Sequence, residues 1–172
     1  MFAATLLTLS LLGTPDIVLE GPQTRVQADV GLSSAMGFGG ASLLHRTSAR
    51  TAVELGADYG QTGVRGFFMP HLVFGTESHR VSTGLGLSLA TPAGQPFERL
   101  RGNVLWLDAE LLGYEHLLRS GLSVSVSAGV AVSLSGAEHV DRCGRDCSWS
   151  GQQLEDGTLI LPSFRAGIGY WF

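Results

Sequence analysis

From Leu122 to Ser135, apolar and small residues alternate without a break. Leu122, Val124, Val126, Ala128, Val130, Val132 and Leu134 take one parity; Ser123, Ser125, Ser127, Gly129, Ala131, Ser133 and Ser135 take the other. A period of two belongs to a strand, whose successive side chains point to opposite faces. A helix would scatter those serines around its circumference. The run is also far longer than the ordinary strand of about five or six residues. Long, tilted and two-faced strands are what a bilayer-crossing sheet requires.

The same reading recurs along the chain. Arg25 to Ser33 sets Val26, Ala28, Val30 and Leu32 against Arg25, Gln27, Asp29 and Gly31. Thr51 to Gly60 sets Val53, Leu55, Ala57 and Tyr59 against Glu54, Gly56 and Asp58. Phe67 to Thr76 sets Phe68, Leu72 and Phe74 against Met69, His71 and Val73. Arg80 to Ala90 sets Val81, Thr83, Leu85, Leu87 and Leu89 against Ser82, Gly84, Gly86 and Ser88. Leu105 to Glu115 sets Leu105, Leu107, Ala109 and Leu111 against Trp106, Asp108, Glu110 and Tyr114. Gly39 to His45 is short, and Ile160 to Phe172 closes the chain. Short links at 46–50, 77–79 and 117–121 alternate with longer ones at 60–66, 91–102 and 136–158; the link at 33–37 is short. The expected fold is all-β: an eight-stranded antiparallel up-and-down transmembrane β-barrel over residues 23–172.

Composition decides which way the two faces point. Only 15% of the 172 residues are charged, against roughly 25% in an average soluble domain. Mean hydropathy is +0.22, yet no apolar stretch reaches the roughly 20 residues of a spanning helix. The polar faces carry mostly Gly, Ser and Ala, where a solvated sheet face would show longer polar side chains, and Gly numbers 24. Small residues suit the narrow interior of an eight-stranded barrel. The expected arrangement is therefore inside-out, with the apolar parity turned to lipid. Acids outnumber bases 15 to 11 without a basic run, so no nucleic-acid partner is expected.

Reading back from the end, Phe172, Tyr170, Ile168 and Phe164 alternate with Trp171, Gly169, Gly167 and Arg165. This ending resembles the C-terminal strand signal of Gram-negative outer-membrane β-barrels. From Thr24 onward the architecture resembles the small OmpA-like and OmpX-like barrels. The resemblance implies a cell outer-membrane location in contact with lipid and lipopolysaccharide. It also implies recognition of Phe164, Ile168, Tyr170 and Phe172 by the barrel-assembly machinery. With both ends on the periplasmic side, Tyr59 and Phe68 are expected near the outer rim, and Phe74, Tyr170 and Phe172 near the periplasmic rim.

The inward parity gathers Arg25, Asp29, Glu54, Asp58, Arg80, Asp108, Glu110 and Arg165, with His71. Charges in so narrow a lumen are expected to pair, because an unpaired buried charge is costly. Arg165 is the expected hub beside Arg25 and Asp29 of the first strand. An ionic plug that fills the lumen and a gate or ion path are both compatible with this list.

Residues 1–22 read as an export signal or N-terminal tail, with Met1 to Leu12 as an apolar core. No basic residue precedes it, and an N-terminal element of the folded domain is the other reading. Cys143 and Cys147 lie in a polar stretch where a disulfide would pin a loop tip; free thiols, or a metal site with His139 and Asp141, are the alternatives. No cofactor or metal is expected. Catalysis would have to use His79 with Ser78 and Ser82, or His116 with Glu115, and none is expected. The loop at 136–158, with Trp149 and mixed charge, is the strongest binding candidate, its partner unknown. The expected function is a monomeric structural or surface-interaction barrel. Alternatives are a narrow pore for small solutes or apolar molecules, and a lipid A-modifying enzyme.

Overall fold

The chain forms β1 (Thr24–Gly31), β2 (Gly39–Arg46), β3 (Thr51–Gly60), β4 (Gly63–Gly75), β5 (His79–Thr91), β6 (Val104–Leu117), β7 (Leu122–Ser135), β8 (Gln152–Gln153) and β9 (Leu159–Trp171). The computed structural model describes residues 23–31, 38–60, 63–76, 78–91, 102–135, 152–153 and 158–172, and among these there is no helix. Residues 1–22, Cys143, Cys147 and most of the 136–158 loop lie outside the described residues.

Each long strand pairs antiparallel with the next. The sheet closes where β9 meets β1, from Arg25↔Trp171 to Gly31↔Arg165. The result is an eight-stranded up-and-down barrel, with β8 as a two-residue addition to β9 at Gln152↔Ile160 and Gln153↔Leu159. The turns after β2, β4 and β6 share one end with both ends of the barrel chain, where Thr24 and Phe172 exchange backbone hydrogen bonds at 3.2 and 2.9 Å. We call this the turn end, and the opposite one the loop end.

The two faces are inverted relative to a water-soluble barrel. Val26, Leu55, Phe68, Leu87, Val124, Val126, Phe164 and Ile168 are exposed on the outer wall, while Arg25, Glu54, Arg65, Asp108 and Glu110 are buried inside. Leu43, Leu55, Phe68, Leu87 and Leu107 stand opposite one another in consecutive strands and form a continuous apolar row around the wall. At the turn end, exposed Phe74, Tyr114, Tyr170 and Phe172 form an aromatic girdle; Phe38 and Tyr59 are exposed toward the loop end.

Three expectations need correction. The 60–66 link is not a long loop: β3 and β4 pair as far as Gly60↔Gly63. Gly63 turns the chain with φ +92°, a conformation that suits glycine. Because β4 starts earlier than expected, Phe68 sits mid-wall opposite Leu55 rather than at the outer rim. Tyr114 points outward, not into the lumen. The cause is a β-bulge: register shifts between Glu110 and Leu112 against β7, and against Ser82 and Gly84 of β5. An extra residue reverses the parity of everything after it, so Leu111 and Leu112 both face out.

Inward glycines leave room for large side chains of the neighbouring strand. A Cβ on Gly86 would lie 2.8 Å from Met69 Cβ, and Met69 is itself fully buried. Gly86→Val is expected to destabilise the barrel by about 1–3 kcal/mol through overpacking. Thermal unfolding in detergent, followed by circular dichroism, measures this; an unchanged midpoint would show that the lumen has slack.

Candidate functional site

The lumen is the candidate site, and it is filled in tiers. At the turn end Trp171 packs with Leu44 and Ala52, flanked by Val73 and Leu117. Its Nε1 donates to Glu115 Oε1 at 2.8 Å. The Arg80 guanidinium lies 4.6 Å from the ring centroid and that of Arg25 5.7 Å, within cation–π range. Arg25 also donates to Glu115 Oε1 at 2.6 Å, and Arg80 to Oε2 at 3.5 Å. One carboxylate thus joins two arginines and an indole.

The middle tier is built around Arg165. Its Nη1 and Nη2 grip the two oxygens of Glu54 at 2.8 and 3.0 Å, and Nη2 also reaches Glu110 at 3.3 Å. The planar fork of arginine matches a carboxylate in this bidentate way. His71 bridges the same two acids, with Nε2 2.9 Å from Glu54 and Nδ1 3.4 Å from Glu110. Ser82 donates to Glu110 at 2.6 Å. Asp29 stands 3.9 Å from Arg165 Nε and accepts from Gln27 and Ser42. The hub is therefore anchored across the lumen, on β3 and β6, more than on the adjacent first strand.

Toward the loop end Arg65 binds Asp58 through Nη2 at 2.6 Å and Asp108 through Nη1 at 3.2 Å; Ser88 donates to Asp108. Above it Trp106 packs with Ala90, Val104, Ala131 and Leu161 in an apolar cap. Trp171 thus belongs to the first of three ionic layers, and the Trp106 cluster lies beyond the third. Interior cavities of about 40 and 20 Å³ interrupt the packing, one beside Arg25, His71 and Arg165 and one beside Asp29, Asp58 and Arg65. Each is large enough to hold ordered water.

All eight charged residues expected in the lumen lie on its inner face. Asp29, Glu54, Glu110 and Arg165 come together, as do Asp58 and Asp108 around Arg65, while Arg25 and Arg80 meet at Glu115. Two members were missed. Arg65 fell in the supposed loop, although continuing the parity of Met69 and His71 backward would have reached it. Glu115 lay beyond the bulge, signalled by the doubled Leu111-Leu112 inside an alternating strand.

Phe164, Ile168, Tyr170 and Phe172 are all exposed on the outer wall. The candidate catalytic combinations separate instead. Ser82 and Glu115 point inward, whereas His79 and His116 sit on the outside, their ring centroids 4.6 Å apart and the rings tilted by 31°. His79 Nδ1 is 2.7 Å from Tyr114 Oη. Among the described residues, no three His, Cys, Asp or Glu side chains are placed to hold a metal ion. Comparison with protein families, with characterised proteins and with solved structures finds no match to this chain.

Proposed function

We propose that the protein is an outer-membrane β-barrel with a structural or surface-interaction role, its lumen closed and its long loops facing outward. The observation that carries this reading is the inverted wall: apolar side chains outside and paired charges within a closed sheet. In water that arrangement would expose an apolar surface far beyond the few hundred Å² that soluble monomers tolerate. Strands β4 to β7 and β9, each of 13 or 14 residues, exceed the roughly 9–11 residues needed to cross a bilayer. A girdle of Phe74, Tyr114, Tyr170 and Phe172 at one rim suits an interface. In this setting Phe164, Ile168, Tyr170 and Phe172 would serve as the strand read by the assembly machinery.

The test is expression of the full chain in a Gram-negative host, followed by membrane fractionation and planar-bilayer recording. The expected product co-fractionates with outer membrane, migrates faster on gels before boiling than after, and gives no sustained conductance. A product that stays monomeric in plain buffer without detergent would sink the membrane reading. Steady single-channel steps would replace the closed scaffold with the narrow pore.

A further inference from the structure

The lumen pairs its charges, but at the turn-end mouth Arg46 and Arg50 have no carboxylate partner among the described residues. Arg46 and Arg50 flank the turn after β2, and Arg80 is the second residue of β5, which follows the turn after β4. These three arginines line one open cavity of about 420 Å³ between the two turns, together with Phe74 and Thr76. That volume falls in the range of small-molecule sites. Among the described residues, the Arg46 side chain donates to the Ala49 carbonyl, at 3.4 Å. Arg50 is exposed, and among the described residues no carboxylate pairs with either of them. Glu115 is the one acidic side chain described in this tier, and it is already held by Arg25 and Trp171 at 2.6 and 2.8 Å. Arg80 reaches it at the longer distance of 3.5 Å.

A cavity ringed by guanidiniums with unused donors favours a tetrahedral oxyanion, above all a phosphate. The surroundings narrow the class further. Phe74 faces outward on the cavity wall and pairs with Val81, which pairs with Tyr114. All three are exposed on the outer surface, so an apolar strip leads away from the charged pocket. A free phosphate would leave that strip bare; a lipid would use both parts.

We infer that the turn-end mouth binds the phosphate of an anionic phospholipid, with Arg46, Arg50 and Arg80 around the headgroup and an acyl chain along Phe74 and Val81. The inference rests on the membrane reading proposed above. Arg46 and Arg50 take no part in the lumen ion pairs, so removing them leaves the barrel closed.

The test uses the purified full chain in an uncharged detergent, with native mass spectrometry or lipid-dependent melting as readout. Three probes are compared: phosphatidylglycerol, phosphatidylcholine and inorganic phosphate. Phosphatidylglycerol is expected to bind best. The double variant Arg46→Gln/Arg50→Gln should bind it about thirtyfold more weakly, from roughly fivefold per basic side chain lost. On the unaltered protein, about 1 M salt should abolish the preference, since charges are then screened beyond about 3 Å. Equal binding of the two lipids, an undiminished preference in the double variant, or inorganic phosphate binding as tightly as phosphatidylglycerol would each overturn the assignment. Because the assay starts from purified barrel, its failure leaves the fractionation result standing, and failure of fractionation is read separately.

Discussion

Arg165→Ala is expected to lower the stability of the barrel by about 3–5 kcal/mol, the cost of stranding a buried charge by removing its partner. Glu54 is 0% exposed, and Arg165 holds both of its oxygens. Without the guanidinium, Glu54 and Glu110 face each other with His71 alone between them. Equilibrium unfolding in detergent micelles measures the loss. A second variant separates charge from packing: adding Glu54→Gln to Arg165→Met removes the stranded carboxylate and should recover part of the stability. Neither variant is expected to conduct, because Trp171 with Arg25, Arg80 and Glu115 fills the turn-end tier and the Trp106 cluster fills the loop end. An unfolding midpoint for Arg165→Ala equal to that of the parent would mean that the other contacts carry the middle tier.

Leu87→Arg should cost about 2–4 kcal/mol when the barrel is folded in a bilayer, the range for a cation at the midplane of a lipid-facing wall. Leu87 lies in the apolar row with Phe68 and Leu107, far from either rim. The same change at an exposed position of a water-soluble protein would be nearly neutral, so its sign bears on the membrane reading directly. The control is Tyr170→Arg at the turn-end girdle, where the penalty should fall to about 0–1 kcal/mol. Folding titrations into lipid vesicles give both values. Equal and negligible effects at the two depths would mean that the wall faces water.

Much of this architecture was legible beforehand. The serine-valine alternation of 122–135 needed nothing beyond period two, and it became the fourteen-residue β7. The charged parity of Asp29, Glu54, Asp58, Asp108 and Glu110 pointed inward as read. Parity is a local property, so it survives until a residue is inserted. At Leu111 one was, and the reading of Tyr114 and Glu115 failed together. The boundary at Gly60 failed for another reason: glycines at 60, 63 and 66 suggest a loop, yet pairing with Asp58 draws Arg65 into the sheet.

Adjacency in the chain also misled the search for chemistry. His116 and Glu115, or His79 and Ser78 with Ser82, look like local pairs. A strand sends neighbours to opposite faces, so the wall divides His116 from Glu115. Conversely, Arg165 and Glu54 are far apart in sequence and meet only because β9 closes onto β1 and brings β3 across a narrow lumen.

By itself, then, the sequence determined the strand class, the number of long strands and, up to the bulge at Leu111, which residues share a face, because each follows from short-range alternation. Only the tertiary structure decided which charges pair, where the two tryptophans pack among them, and that Arg46, Arg50 and Arg80 crowd one mouth, the first two without a carboxylate partner among the described residues. Those contacts depend on the register around a closed sheet, where a single bulge or an early strand start shifts every distant neighbour.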